Sequence, residues 1–153
     1  MGDTISAKPV DVSSIDLSWL VGRSVSSCSF SAPDFWMIAL SGGGHVSTQS
    51  IWRLLTVGGM PVCSEDHGQQ FGLPAPVDAA ASAMSELSTA VIIEASINSS
   101  APDLLLRFES GRALEVLATS TGYECWQVCS PSGLCTVVSG NRSASAWLQE
   151  KSG

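Results

Sequence analysis

The chain is short of positive charge. Its 153 residues hold seven lysine and arginine side chains against fourteen aspartate and glutamate, which gives a formal net charge of −7. Charged residues of both signs make up only 14% of the sequence, and no basic stretch occurs. Holding the phosphate backbone of a nucleic acid requires such a basic surface. We therefore expect no nucleic-acid partner, whereas an acidic chain suits a basic protein partner.

Long apolar runs and a secretory signal are also missing. The longest apolar run, Phe35–Leu40, is far shorter than the roughly twenty residues of a membrane-spanning helix. Residues 1–16 lack the basic and apolar regions of a secretory signal. The five cysteines are an odd number, which favours free thiols. These absences predict a cytoplasmic protein with no membrane contact.

The residue patterns of known catalytic and metal sites are missing as well. His45 and His67 are the only histidines, and they are too few and too far apart for a His-x-x-x-His metal site. Gly-x-Ser-x-Gly, Ser-x-x-Lys and paired-carboxylate signatures do not occur. Gly42-Gly43-Gly44 precedes a strand pattern, which indicates a hairpin turn rather than a phosphate-binding loop. We expect no cofactor, no metal ion and no catalytic residue.

What the sequence does contain is a repeated pattern. Residues 36–63 and 104–138 align at an offset of 68 in their first strands, and an offset of 74 aligns Trp52 with Trp126. Any two β-meanders align loosely, because strands share a two-residue period. The matched tryptophans, each followed seven residues later by a glycine, favour duplication over that looser explanation.

The duplication leads to a predicted architecture. We expect a single domain over residues 1–153, with an internal repeat over about 23–88 and 89–150. Each half predicts an antiparallel β-meander that is followed by a helix, at Val77–Ser88 in the first half and at Ser143–Glu150 in the second. The fold class expected is therefore α+β. Whether the meanders form one sheet, a sandwich or a barrel stays open.

The N-terminal region predicts little regular structure. Residues 1–12 are expected to form a loose arm, in which Pro9 discourages a helix. A short helical segment is expected to begin at Ser14 and to end at Gly22, with Leu17 and Leu20 directed to the core.

Two cysteines flank a predicted hairpin loop. A three-residue loop Pro131-Ser132-Gly133, with Gly133 in the left-handed conformation, sets Cys129 opposite Cys135. Facing thiols can form a disulfide or bind a soft metal ion, or they can be two small buried side chains. Because the chain has no Cys-x-x-Cys spacing and is expected to be cytosolic, we expect the reduced, buried pair.

Five residues are candidates for ligand binding: Arg53, His67, Tyr123, Glu124 and Trp126. His67 lies in the polar loop 65–70, where an imidazole beside carboxylates can act as a general base or a metal ligand, although polar loop residues commonly serve as caps. Aromatic rings with one acidic group and one arginine are typical of binding pockets. Tryptophans at matched repeat positions are equally typical of core anchors.

Several short motifs resemble a known group of proteins. Leu20-Val21-Gly22, Trp52-Arg53, the Asp-His-Gly-Gln run at 66–69 and Gly122-Tyr123-Glu124-x-Trp126 together resemble a family of small bacterial proteins of unknown function. The resemblance covers roughly residues 17–148. It implies a bacterial cytosolic protein, and it supplies no activity and no catalytic residue.

Two classes of function follow from these observations. The first is a non-enzymatic binding protein, analogous in size and charge to immunity proteins that neutralise basic toxins. Its lightly charged, serine-rich surface predicts a homodimer. The alternative is a small-molecule binder or hydrolase-like enzyme, with a cleft between the repeats lined by His67, Arg53, Glu124 and Trp126. A deep cleft with convergent polar groups favours the alternative, and a convex acidic face or a flat apolar patch favours the first class.

Overall fold

The computed structural model describes residues 7–149, which form two antiparallel sheets and one α-helix. The helix, α1, spans Ala79–Leu87, and no helix in this range is long and apolar enough to cross a membrane. Three 3-10 turns lie at Val12–Ser14, Ser18–Leu20 and Ser64–Asp66. The strands, in chain order, are β1 (Lys8–Asp11), β2 (Val25–Ser31), β3 (Phe35–Leu40), β4 (His45–Thr48), β5 (Trp52–Thr56), β6 (Gly59–Cys63), β7 (Ile92–Ile97), β8 (Leu104–Phe108), β9 (Ala113–Val116), β10 (Glu124–Cys129), β11 (Leu134–Ser139) and β12 (Ser143–Leu148).

A large sheet and a small sheet enclose the core. The large sheet has seven strands in the order β1-β12-β11-β10-β4-β3-β2, and the small sheet has five in the order β6-β5-β9-β8-β7. α1 packs against β2 and β6, which are edge strands of the two sheets. Inward side chains of both sheets join in one apolar cluster, in which Trp52, Trp126 and Phe108 are the largest fully buried members. Burial of each such side chain contributes roughly 1.5–3 kcal/mol.

Within residues 7–149 the chain passes from one sheet to the other twice, after β4 and after β9. The first crossing, residues 49–51, lies beside the second, residues 117–123. The Leu117 N–H donates to the Ile51 carbonyl oxygen at 2.8 Å, and the Ser50 hydroxyl donates to the Leu117 carbonyl oxygen at 2.6 Å. As a result β10 pairs with β4, and β5 pairs with β9.

The strand registers follow the two offsets seen in the sequence. Trp126 of β10 lies opposite Thr48 of β4, and Trp52 of β5 lies opposite Val116 of β9. The offset of 74 residues relates Trp52 to Trp126, and the offset of 68 relates their partners Thr48 and Val116. The duplication itself stays a prediction from the sequence.

The predicted α+β class is wrong, because the described residues are mostly antiparallel sheet with a single helix. The helix expected at Ser143–Glu150 is strand β12, although Glu150 itself lies outside the described residues. Ser143 to Leu148 reads Ser-Ala-Ser-Ala-Trp-Leu, whose two-residue period suits a strand. A tight turn then folds β12 back on β11, with the Asn141 side chain accepting the Ser143 N–H at 2.9 Å.

The helix predicted at Val77–Ser88 is confirmed as α1. Its N-cap is Asp78, whose carboxylate accepts the Ala81 N–H at 3.0 Å. Buried Ala79 and Ala83 allow the helix to lie close to the sheet edges.

The N-terminal predictions are partly wrong. Strand β1 pairs with β12 where a loose arm was expected, and Pro9 is accommodated because β1 is an edge strand. Residues 1–6 lie outside the described residues. The segment from Ser14 to Gly22 contains 3-10 turns and no α-helix, but Leu17 and Leu20 do face the core as predicted.

The two matched tryptophans differ in their hydrogen bonding. The Trp126 Nε1–H donates to the Pro102 carbonyl oxygen at 2.8 Å. Trp52 is fully buried, yet its Nε1 has no hydrogen-bond partner among residues 7–149. Its ring instead meets Trp36 edge to face, with ring centroids 5.0 Å apart. Only one of the two tryptophans therefore gains a buried hydrogen bond.

Cys129 and Cys135 lie opposite each other across the β10–β11 hairpin, and Gly133 has a φ of +96°, both as predicted. The expectation of a reduced pair is wrong, since the two cysteines form a disulfide. The hairpin register holds the two side chains directly opposite each other on the same face, where their sulfur atoms can bond. Among the described residues, free thiols remain at Cys28, Cys63 and Cys125.

Substitution of each matched tryptophan by phenylalanine tests the difference in hydrogen bonding. Trp126→Phe leaves the Pro102 carbonyl oxygen without its donor, whereas Trp52→Phe removes an N–H that has no acceptor. Because both changes remove a similar volume, we expect Trp126→Phe to lower the free energy of unfolding by about 1–2 kcal/mol more than Trp52→Phe. Urea denaturation of both variants measures the difference, and equal losses would contradict the assignment.

Alkylation and mass spectrometry test the thiol inventory. Iodoacetamide should add three groups to the unfolded, unreduced chain and five after reduction. In the folded protein Cys28 should react slowly at pH 8, because burial and then the charge of Asp78 raise the pKa of its thiol to about 11. Its rate should rise with pH up to about that value. Five additions without reductant would show that Cys129 and Cys135 are not bonded.

Candidate functional site

A cleft of about 390 Å³ opens beside the first sheet crossing. Three polypeptide segments surround it: the β2–β3 turn with Pro33 and Asp34, the crossing 49–51, and the loop after β6 that carries Glu65 and His67. Residues 49–51 lie between the two sheets and belong to no strand. Their polar groups are therefore not used in strand pairing and are available to line the cleft. The cleft is therefore a consequence of the strand order.

An adjoining depression of about 250 Å³ extends this cleft. The two share Asp34, Gln49, Ser50 and Thr119, so they form one continuous surface feature. Tyr123 and Glu124, from the second crossing and the start of β10, line the depression. We call the cleft and the depression together the polar groove.

His67 is held rigidly at the cleft end of the polar groove. Its Nδ1 accepts the Ala79 N–H at 3.1 Å, at the first residue of α1. Its ring packs against Phe30 and Trp36, with centroid distances of 4.7 Å and 5.1 Å. Because Nδ1 is the acceptor, the neutral ring carries its proton on Nε2. His67 thus braces the loop and can offer one N–H to a ligand.

The loop that carries His67 is closed by its own backbone. The Gly68 N–H donates to the Val77 carbonyl oxygen at 2.8 Å, and the Val77 N–H donates to the Gln69 carbonyl oxygen at 2.7 Å. Gly68 has a φ of +83°, a left-handed conformation that favours glycine. The Asp-His-Gly-Gln run therefore places the imidazole by local turn chemistry.

The charge in the polar groove has one sign. Asp34, Glu65 and Glu124 line it, and no lysine or arginine of the described residues does. The Asp34 carboxylate accepts a hydrogen bond from the neutral Gln49 amide at 3.4 Å, which does not cancel its negative charge. Carboxylates in a concave surface attract positive groups and raise their local concentration.

The hydroxyl groups of the polar groove are tied to the backbone. Ser50 Oγ donates to the Leu117 carbonyl oxygen and lies 2.6 Å from Thr119 Oγ1. Ser64 Oγ accepts the Trp52 backbone N–H at 3.0 Å. No serine or cysteine among residues 7–149 hydrogen-bonds His67, so the nucleophile–base pair of covalent catalysis is not formed there.

The structure brings together three of the five predicted site residues: His67, Tyr123 and Glu124. Arg53 lies elsewhere, on the outer face of the small sheet, where its Nε donates to Glu115 at 2.9 Å. Trp126 is only 1% exposed and lies in the core. The pocket predicted around all five residues is therefore divided between the groove, a sheet surface and the core.

Sequence reasoning missed Asp34, Ser50 and Thr119, which come from three separate connections. A partial signal exists in the tripeptide Ala-Pro-Asp, which occurs at 32–34 and again at 101–103. In the second copy the Asp103 carboxylate accepts the Ala118 N–H at 2.7 Å and so closes the turn on the sheet crossing. Asp34 makes no such backbone contact within residues 7–149, and its carboxylate stays in the groove.

Two substitutions separate the bracing role of His67 from simple space filling. His67→Ala removes the acceptor of the Ala79 N–H and the ring that packs on Phe30, so we expect a loss of about 2 kcal/mol in the free energy of unfolding. His67→Asn can keep an acceptor oxygen near the Nδ1 position and should recover about 1 kcal/mol of that loss. Chemical denaturation measures both. An asparagine variant no more stable than the alanine variant would contradict the hydrogen-bond role.

Comparisons with known proteins give no relative on which to rest a function. No protein-family model matches the chain. No curated protein and no solved structure matches it either.

Proposed function

We propose that the chain is a non-enzymatic binding protein whose polar groove holds a basic segment of a protein partner. The observation that carries the proposal is the one-signed lining: Asp34, Glu65 and Glu124 face a continuous groove that no basic side chain of the described residues enters. A lysine or arginine side chain is the protein group that complements such a lining.

The other groups of the groove suit an extended peptide. The His67 Nε2–H can donate to a main-chain carbonyl oxygen, and the Gln69 amide can both donate and accept. Tyr123 is 80% exposed beside Glu124, so its ring is free to cover a bound guanidinium or ammonium group. The exposed Tyr123 ring at one end and the His67 imidazole donor at the other give the groove a direction.

The analogy to immunity proteins is consistent with this chemistry, since such proteins present acidic surfaces to basic partners. The alternative of a small-molecule binder has one observation in its favour: a cleft of about 390 Å³ is within the range of small-ligand sites. Its ligand would be a small cation, because the same carboxylates line the cleft. The hydrolase-like form of that alternative lacks support, because His67 has no nucleophile among the described residues.

Peptide titration tests the proposal. An octapeptide of alternating arginine and glycine should bind, followed by calorimetry and by chemical-shift mapping onto the groove, and an octapeptide of glutamate and glycine should not. Asp34→Asn, Glu65→Gln and Glu124→Gln should each weaken binding about two- to fivefold, and the triple variant should weaken it about tenfold or more. High salt should reduce the affinity, because exposed charges are screened.

Glu109→Gln is the matched control, since Glu109 is exposed in a turn of the small sheet and its removal changes the net charge equally. An equal loss of affinity in this control would show that the peptide senses only overall charge, and would contradict the groove. Arginine amide that binds as tightly as the octapeptide and shifts the same resonances would favour the small-molecule alternative.

The cytoplasmic location predicted from the sequence stays part of this proposal, although the disulfide weighs against it. Disulfides persist mainly in oxidising compartments. The cytoplasmic prediction relied on five free thiols, but two of the five cysteines are bonded to each other. A basic partner in an oxidising compartment would be compatible with the same groove chemistry.

A further inference from the structure

The large sheet has an outer face that points away from the core. Alternation along the strands places Phe35, Met37 and Ala39 of β3 on this face, together with Gln127, Val137 and Trp147 of the three strands β10–β12. All six side chains are half-buried by their neighbours alone. The disulfide lies between them, because Cys135 pairs with Trp147 on one side and with Cys129 on the other.

The outer face differs from the corresponding face of the small sheet in charge. The small sheet carries two ion pairs on its outer side, Arg53 with Glu115 and Arg107 with Glu94. At the outward positions of the described strands of the large sheet there is no lysine or arginine, and the carboxylates are Glu124, at the margin where β10 begins, and Asp11, at the end of the edge strand β1. In a sheet with one face in solvent, residues normally alternate along each strand, with apolar side chains toward the core and polar side chains outward.

The one imidazole on the outer face is His45, which lies opposite Cys129 in β10. Its partial burial lowers the pKa of the ring from its ordinary value, which favours the uncharged form at neutral pH. The centre of the face is thus uncharged and contains apolar, amide and serine side chains.

We propose that the outer face is the interface of a homodimer, in which two copies stack large sheet on large sheet about a two-fold axis. A chain of net charge −7 repels its own copies, and contact through the centre of this face brings no carboxylates together, because Asp11 and Glu124 lie at its margin. A basic protein partner instead requires carboxylates, and these line the polar groove. The occupant that fits an uncharged face is a second copy.

The size of the face agrees with this assignment. Six strands at about 4.8 Å spacing and five or six residues at about 3.3 Å give a flat area of roughly 500 Å². Side chains that project from the sheet make the accessible area larger than this flat area. A standard interface buries about 800 Å² on each partner, which is of the same order. Two sheets that stack face to face in this way pack about 10 Å apart.

Sedimentation over 1–100 μM protein tests the dimer with two matched charge substitutions. Met37→Glu places a carboxylate in the centre of the outer face and should weaken dimerisation by about tenfold or more. Leu105→Glu places the same charge on the outer face of the small sheet, at a similarly half-buried position, and should leave the dimer unchanged. Circular dichroism checks that both variants are folded.

The wild-type protein provides a second test that does not depend on a variant. With methionine methyl groups labelled by ¹³C, dilution through the dimer dissociation range should shift the Met37 resonance. Met60, on the β5–β6 hairpin, and Met84, on α1, should not move. A monomer at 100 μM, dissociation by Leu105→Glu and not by Met37→Glu, or movement of Met60 or Met84 without Met37 would each overturn the proposal.

Discussion

The structure depends on one contact, the hydrogen-bonded meeting of the two segments that cross between the sheets. Leu117 joins Ile51 and Ser50 where 49–51 leaves the large sheet and 117–123 enters it. This contact requires β10 to pair with β4 and β5 with β9, so each sheet contains strands from both halves of the chain. Neither half can complete its sheet alone, and the folded unit includes both.

The polar groove follows from that same meeting. Crossing residues leave the strand ladder, so their polar groups must find partners in turns or face solvent. Around the second crossing, the Asp103 carboxylate accepts the Ala118 N–H, and the Pro102 carbonyl oxygen accepts the Trp126 Nε1–H. These two hydrogen bonds close that end of the molecule. At the first crossing the equivalent bonds are not made within the described residues, and a cleft remains. A small difference between two similar turns therefore separates a packed end from an open cleft.

Predictions from the sequence succeeded where local chemistry decides the outcome. The apolar periodicity of Val77–Ser88 predicted α1, and Gly133 predicted the register of Cys129 and Cys135. Prediction failed where neighbours decide. Ser143 to Leu148 is short and small enough to form either a helix or a strand, and β11 and β1 supply the hydrogen bonds that make it a strand. His67, Tyr123 and Glu124 were recognised as polar or aromatic candidates, whereas Asp34 gave only the partial signal of the repeated Ala-Pro-Asp tripeptide and Thr119 gave none.

The sequence by itself determined the periodicity of the strands, the turn glycines, the acidic charge and the two matched tryptophans, because each of these is a property of residues close together in the chain. Only the tertiary structure decided the strand order, the disulfide, the separation of Arg53 from His67 and the one-signed lining of the groove. Apart from the disulfide, those features arise from contacts between residues far apart in the chain, such as the hydrogen bond between Thr48 and Cys125 and the pairing of Lys8 with Ala146. A two-residue period states which face of a strand is apolar, but it does not state which strand lies beside it.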